Sequence, residues 1–416
     1  MGISSLILSL LTASAQQNSA GASLSSNAPT ASAWTPSASL SVKEAYDGNI
    51  YMQSVTPRAN QSSFVTIVTP NVAAQWKPVP AFTLSLGYSP EIATYHSATS
   101  EDYVAHRGTL NLGGKVKDTT WELLNGMVWI DGNTQGPTFT GPGGAPALGG
   151  MVLRDRRAAA IYREGFKLQH PIGDWFFRPI SSVYVHDFHT AQSAAAGYQN
   201  YADRSDINGG LDIGYEAFKG IYLVAGYRHG SQEQATVLTS PIEYGNTYDR
   251  YLAGIEGKPA DWLKLNLMAG PDVRSFGPNV PTSFDRHQTT VFIDFLATLT
   301  LSKADTITLS AKRFEQPGYA GQSVYQDFTS ELSWRHKFND KFSTGVGVRV
   351  LNWAFELPVV RDEWWYSGNV SATWTFSKHL AAELSYTYDQ VDSMIPSTSG
   401  REAQRHLVSL SVKSAF

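Results

Sequence analysis

The chain has 416 residues, 42% hydrophobic and 16% charged, with 32 Lys and Arg against 36 Asp and Glu for a net charge of -4. These proportions exclude a disordered acidic or basic protein, and the slight negative balance offers no field for nucleic acid. Cysteine is absent, so disulfides, thiolate metal sites and cysteine nucleophiles are excluded as well.

In chain order, the apolar stretch Ile3 to Leu11 leads into Thr12-Ala13-Ser14-Ala15, small residues of the kind a signal peptidase requires. Residues 1–15 therefore read as a secretory signal cut after Ala15, with a disordered N-terminus or an anchor as the alternatives, since a basic n-region is missing. A helical span takes about 20 apolar residues, and neither this stretch nor any later window supplies them. Residues 16–36, QQNSAGASLSSNAPTASAWTP, are nearly all small and polar and read as a flexible lead-in.

From residue 37 to 416 the period is two. Val291, Ile293, Phe295, Ala297, Leu299 and Leu301 alternate with Thr290, Phe292, Asp294, Leu296, Thr298 and Thr300. Leu380, Ala382, Leu384, Tyr386 and Tyr388 stand opposite Ala381, Glu383, Ser385, Thr387 and Asp389. Such alternation means strands with one apolar and one polar face. The connections alternate in length too. Short ones fall at 77–81, 117–119, 170–174, 218–220, 259–261, 302–304, 339–341 and 377–379. Long ones fall near 53–61, 96–102, 131–155, 189–203, 234–246, 276–287, 317–323, 354–361 and 392–402. Seventeen connections predict eighteen strands, with sixteen as the alternative count and both termini on the short-turn side.

Strand ends carry Trp76, Trp121, Trp129, Trp175, Trp262, Trp334, Phe338, Phe342, Trp364, Trp374 and Phe376, placed as two girdles at membrane interfaces would be. The last strand sets Val408, Leu410, Val412 and Phe416 on one apolar parity ending at a terminal Phe, which reads as a signal for the barrel-assembly machinery. A soluble β-sandwich would explain the alternation but not the inversion of chemistry, since a soluble protein of this size should have a polar exterior and longer hydrophobic runs inside. The pattern predicts an all-β fold: one transmembrane antiparallel up-and-down β-barrel over 37–416, in the outer membrane of a Gram-negative-type bacterium. A trimer interface would use the same apolar face as lipid, so a homo-oligomer stays open.

Tyr46-Asp47-Gly48-Asn49-Ile50-Tyr51, Leu86-Gly87-Tyr88-Ser89-Pro90 and Tyr248-Asp249-Arg250-Tyr251 resemble motifs of a family of outer-membrane β-barrel porins, largely uncharacterised and often associated with exopolysaccharide production. The resemblance implies a conduit for a glycan as one use of such a barrel.

With the apolar parity outward, the charges expected to line the lumen are Asp212, Glu216, Arg228, Arg250, Glu256, Lys264, Asp272, Arg274, Asp294, Lys312, Glu331, Arg335, Arg349, Glu363, Glu383 and Lys413. Eight acids and eight bases give no strong anion or cation preference; they either set the field of a water-filled pore or pair across strands and stiffen the wall. Inward Tyr184, Tyr222, Phe292, Trp353 and Trp365 either stack on sugar faces or pack a plug. The Gly- and Pro-rich loop 131–155 either folds inward or lies outside as a mobile loop.

An enzyme is not expected. His186-Asp187-Phe188-His189 is the nearest approach to a catalytic or metal constellation, yet its two histidines have opposite parity. Gly143-Gly144 and Gly149-Gly150 lack the Lys-Ser or Lys-Thr of a phosphate loop. No cofactor or metal is expected. The partners are outer-membrane lipid and either small hydrophilic solutes or a glycan. The leading expectation is a passive porin-like channel; a polysaccharide export conduit and a plugged adhesion barrel with binding loops are the rivals.

Overall fold

The computed structural model describes residues 34–52, 60–133, 157–194, 200–238, 240–318, 323–357, 360–394 and 402–416. Within them the chain forms nineteen strands: β1 (Trp34–Asp47), β2 (Ser63–Val79), β3 (Phe82–Tyr88), β4 (Glu91–Tyr95), β5 (Tyr103–Val116), β6 (Thr119–Asp131) and β7 (Ala159–Ile172). There follow β8 (Trp175–Phe188), β9 (Arg204–Phe218), β10 (Ile221–Gln234), β11 (Asn246–Ala260), β12 (Leu263–Phe276) and β13 (His287–Thr300). The last six are β14 (Asp305–Pro317), β15 (Val324–Lys337), β16 (Phe342–Leu357), β17 (Arg361–Ser377), β18 (Leu380–Met394) and β19 (Ala403–Ala415).

All pairings between these strands are antiparallel, and β1 pairs with β19 from Ser39↔Ala415 to Asp47↔Leu407, which closes the sheet. β3 and β4 lie end to end between β2 and β5. They make one stave broken at Ser89-Pro90, where proline has no N–H to give the ladder. The barrel thus has eighteen staves, the predicted number. Its first strand begins at Trp34, inside the stretch expected as lead-in. The signal-peptide expectation for 1–15 lies outside the described residues.

The predicted alternation is realised. Leu40, Val42, Val72, Leu86, Leu110, Leu384, Val408, Leu410 and Val412 project outward and are exposed, an apolar exterior that only lipid can cover. At the short-turn end Trp34 stacks on Trp76 with ring centroids 5.8 Å apart, Trp76 meets Phe82 at 6.0 Å, and Phe82 meets Trp121 at 6.1 Å. Phe342 and Trp374 continue this girdle at 4.8 Å. At the long-loop end the outward pairs are Tyr88–His106, Trp129–His189, Tyr227–Tyr251 and Tyr386–His406. With closure, belt and girdles together this is a membrane-spanning barrel of the outer-membrane type. Tight turns make the short connections: Lys117, Gly173 and Gly220 hold positive φ of 54°, 59° and 74°.

Two departures from a regular cylinder shape the interior. First, the wall from β8 to β14 curls tightly. Its inner face carries glycines where the bend is sharpest: a Cβ at Gly210 would strike the Tyr227 carbonyl, and one at Gly270 the Tyr251 carbonyl. The hollow of this curl is filled by Phe176, Val224, Leu252, Met268, Phe292 and Phe314, with Tyr222 against them. Second, the end of β14 leaves the wall. β13 and β14 pair only from Ile293↔Arg313 to Thr300↔Thr306, whereas β14 stays with β15 up to Pro317↔Val324. Residues 314–317 therefore turn into the lumen.

That inward end of β14 is held by side chains of β9 and β10, across the hollow of the curl. The Gln232 amide donates to the Glu315 carbonyl at 3.2 Å, and the Gln234 amide to the Gly318 carbonyl at 2.6 Å. Arg204 donates to the Pro317 carbonyl at 2.8 Å. Glu315, of outward parity in its strand, consequently lies fully buried 3.7 Å from Arg274. Farther round, inward Gln288 donates to outward-parity Glu356 at 2.9 Å.

Candidate functional site: the inner wall

Register puts all sixteen predicted lumen charges on the inner face, and it brings most of them together in pairs. Asp212 accepts from Arg178 at 2.9 Å and from Arg228 at 2.6 Å, and Arg178 also reaches Glu256 at 2.8 Å. Asp272 receives Arg250 at 2.8 Å and Arg274 at 2.9 Å. Lys312 meets Asp294 at 3.3 Å, and Arg349 meets Glu331 at 3.1 Å. Glu363 is held by Arg361 at 2.7 Å. Glu216 accepts the Gly220 amide at 2.6 Å, and Glu383 accepts the Thr373 hydroxyl at 3.1 Å. Lys264, Arg335 and Lys413 make no ion pair among the described residues; they stand at Thr298, Gly345 and Ser41 in register, toward the short-turn end.

Burial divides these groups. Asp212, Arg228, Arg250, Asp272, Arg274, Lys312 and Glu363 are buried, whereas Glu122 and Lys167, paired at 2.7 Å on the inner faces of β6 and β7, keep 41% and 47% of their side-chain surface in water. The pattern is spatial. Along β8–β14 most of the inner face is covered by the curl and its contents. On β15–β19 and β1–β7 it is buried at the long-loop end, as at Asp47, Val65, Ala105, Ile130, Trp353 and Asp389, and open from mid-barrel to the short turns. The open stretch is polar: Ser39, Ser41, Lys43, Thr69, Asn71 and Gln75 on β1 and β2, and Thr373, Glu383, Ser385 and Thr387 on β17 and β18.

The predicted lumen aromatics pack on protein. Arg250 lies over Phe292 at 4.0 Å. Arg163 and Arg204 lie over Tyr184 at 5.2 and 5.5 Å. Trp353 and Trp365 meet edge to face at 6.2 Å within a cluster that includes Tyr325, Phe355 and Met52. Tyr222 lies 5.3 Å from Phe176. Four of these five rings are buried, so the packing role accounts for them and a bare stacking track does not.

The histidine pair splits as its parity requires. His186 points inward and stacks on Phe188 at 4.0 Å, while His189 lies against outward Trp129 at 4.6 Å. No group of three metal-ligating side chains occurs among the described residues. Of the loop 131–155, residues 134–155 lie outside the described residues.

Sequence reasoning missed Arg178, the hub between Asp212 and Glu256, and the inward tip of β14. β8 begins Trp175-Phe176-Phe177-Arg178, with aromatics on both parities, so the apolar face could not be picked there. The tip did carry a signal. Arg313 and Glu315 take the outward positions of β14 above Ala311, where a lipid-facing strand should be apolar.

No protein-family model and no curated protein matches the chain. Among solved structures it is similar to Pseudomonas aeruginosa OpdO, at 10% identity over 92% of this chain and 97% of that one, with a TM-score of 0.45. It is similar to Acinetobacter baumannii OccAB4 at 11% identity, covering 94% and 100% of the two chains, with a TM-score of 0.43. The Pseudomonas aeruginosa siderophore receptor PirA matches at 10% identity over 94% and 81%, with a TM-score of 0.42.

Proposed function

We propose that the protein is an outer-membrane channel for hydrophilic solutes. The observation that carries this reading is the polar, partly exposed inner wall of β15–β19 and β1–β7, from mid-barrel to the short turns, inside a closed barrel whose exterior is apolar. A barrel of eighteen staves is wide enough for an aqueous lumen. Here roughly half the wall has curled in and filled its own hollow, which leaves the remaining half to line the path. Charged and hydroxyl side chains replace water for a polar solute there, and passage down a gradient needs no energy source. The predicted pore-lining charges then sort into two groups. Glu331, Arg335, Arg349, Glu383 and Lys413 face the open half and Lys264 the short-turn end of the curl, while the Asp212 and Asp272 clusters brace the curl.

The test is single-channel recording of the refolded barrel in a planar bilayer, with neutral oligosaccharides added. A steady conductance reduced by sugars small enough to enter supports the channel. Folded protein that never conducts refutes it. The inward end of β14 favours one second reading, a conduit narrowed at its outer mouth until a partner draws residues 314–318 aside, as glycan export would require. In that case conductance appears only after the Gln232 and Gln234 contacts to these residues are removed.

A further inference from the structure

The wall has a long open edge. From His287 to Phe292, β13 pairs with β12 on one side and with no strand on the other, because β14 departs after Arg313. Backbone N–H and C=O groups point alternately to the two edges of a strand. On β13, Arg286 and Thr300 bond toward β12, and on β14, Ala304 and Gly318 bond toward β15. Even-numbered residues of both strands therefore face those neighbours. The odd ones, Thr289 and Val291 on β13 and Glu315 and Pro317 on β14, carry the groups that an unbroken wall would join.

On β14 that edge is satisfied from elsewhere. The Glu315 carbonyl accepts from Gln232 at 3.2 Å and the Pro317 carbonyl from Arg204 at 2.8 Å, so side chains of β10 and β9 stand in for β13. Pro317 has no N–H to satisfy. On β13 no such substitute reaches Thr289 or Val291 among the described residues; only the His287 N–H is taken, by Asp285 at 3.0 Å. The Thr290 hydroxyl, on the inner side of the same stretch, is buried without a partner. Val291 is 46% exposed on the outer face, so this edge lies against lipid, where an open sheet edge is unfavourable.

The missing partner is present in the chain. Continuing the Ile293↔Arg313 register sets Phe292 opposite Phe314, Val291 opposite Glu315, Thr290 opposite Gln316 and Thr289 opposite Pro317. That pairing gives Val291 two bonds to Glu315, the Thr289 N–H the Pro317 carbonyl, and the Thr290 hydroxyl the Gln316 amide. Glu315 would leave Arg274, now 3.7 Å away, for the outward face that Arg313 occupies two residues before it. Each arrangement satisfies groups that the other leaves open.

Resting on the channel reading, we propose that residues 314–317 have two seats, the observed one across the hollow of the curl and a second on the free edge of β13, and that exchange between them gates the outer mouth. In the first seat, β15 follows β14 inward and Tyr325 packs with Met52, Trp353 and Trp365. In the second, the wall is complete, and β15, still paired to β14, moves outward and draws Tyr325 from that cluster. Two packings of one strand that differ by a few hydrogen bonds make a bistable element.

The chain has no cysteine, so an engineered pair reports the second seat without background. Thr290→Cys with Gln316→Cys would put thiols on facing residues with Cα atoms about 4.5–5.5 Å apart, within disulfide reach. Val291→Cys with Gln316→Cys places them on opposite faces and is the control. In lipid vesicles with copper phenanthroline, the first pair is expected to cross-link at least tenfold more than the control, read from the linked peptides by mass spectrometry. Bilayer recording of the cross-linked protein should show a conductance at least twofold above wild type, reversed by dithiothreitol. Gln234→Leu, which removes the amide bond to the Gly318 carbonyl, supplies a second readout should a cysteine pair fail to fold: amide exchange across 287–292 should slow at least threefold as the edge gains its partner. Cross-linking no greater than the control, or exchange unchanged or faster in Gln234→Leu, overturns the second seat, while conduction would leave the channel standing. Cross-linking that leaves an existing conductance unchanged overturns the gate. Cross-linking with no conductance, oxidised or reduced, overturns the channel and the gate with it.

Discussion

Replacing Asp272 by alanine tests whether the curl is packed or wet. The Asp272 carboxylate accepts Arg250 through Nη2 at 2.8 Å and Nε at 3.2 Å, and Arg274 at 2.9 Å. All three side chains are at most 1% exposed. Removing one partner of a buried pair costs about 3–5 kcal/mol, because the remaining charge is stranded. Two guanidinium groups lose their acceptor here. Arg274 keeps Glu315 at 3.7 Å, and Arg250 keeps the Phe292 and Tyr248 rings at 4.0 and 4.6 Å, so the expected loss stays within that range instead of doubling it. Urea unfolding from lipid vesicles followed by tryptophan fluorescence reads the difference. The triple change Asp272→Leu, Arg250→Met, Arg274→Leu should recover most of the loss, since apolar replacement of a whole buried ion cluster is often neutral. A loss below about 1 kcal/mol for Asp272→Ala would refute the reasoning; it would mean that water reaches these arginines and that the curl is part of the open lumen.

Phe295→Arg should cost about 2–4 kcal/mol of folding free energy in bilayers and Thr298→Arg much less, because only the first faces lipid; equal costs would reverse inside and outside. Gly210→Val drives a side chain against the Tyr227 carbonyl and should destabilise by at least about 1–3 kcal/mol, whereas Gly126→Ala, in open space, should lie within about 0.5 kcal/mol of wild type by the same unfolding assay. Asp203, which precedes β9 and accepts the Phe188 amide at 2.7 Å, has its carboxyl pushed above the ordinary 3.8, by burial first and by Asp187 to a smaller degree. A folded value above the unfolded one means that the native state binds the proton more readily, so this group favours folding on the acid side and its contribution falls as pH rises through and above the ordinary 3.8. Asp203→Asn should flatten that slope in urea midpoints measured across the window.

What the sequence disclosed follows from the chemistry of each surface. Lipid imposes one rule on most outward positions, so Leu380, Leu384, Val408 and Val412 announced the wall and its strand count. The regular alternation of short and long connections did the same for the short-turn end. The interior obeys no single rule. Arg228 and Arg349 sit on the same parity of their strands, yet one is buried in the curl and the other partly faces the path. The difference depends on how sharply the sheet bends at Gly210 and Gly270, which a period of two does not encode. Arg163 was missed for a related reason: β7 carries Tyr162 and Glu164 outward beside it, so polarity there marks neither face.

The curl also bears on the order in which this chain folds. Strands β9 to β14 are joined by hairpins, each pairing with its sequence neighbour, and with β8 they enclose a core built from that same stretch. The seam between β1 and β19 instead joins Ser39 to Ala415 across almost the whole chain. Contacts between near neighbours form early because little chain entropy is lost in making them, and distant ones come last. The half of the wall that fills itself can thus act as a nucleus, on which the open half assembles before the first and last strands meet.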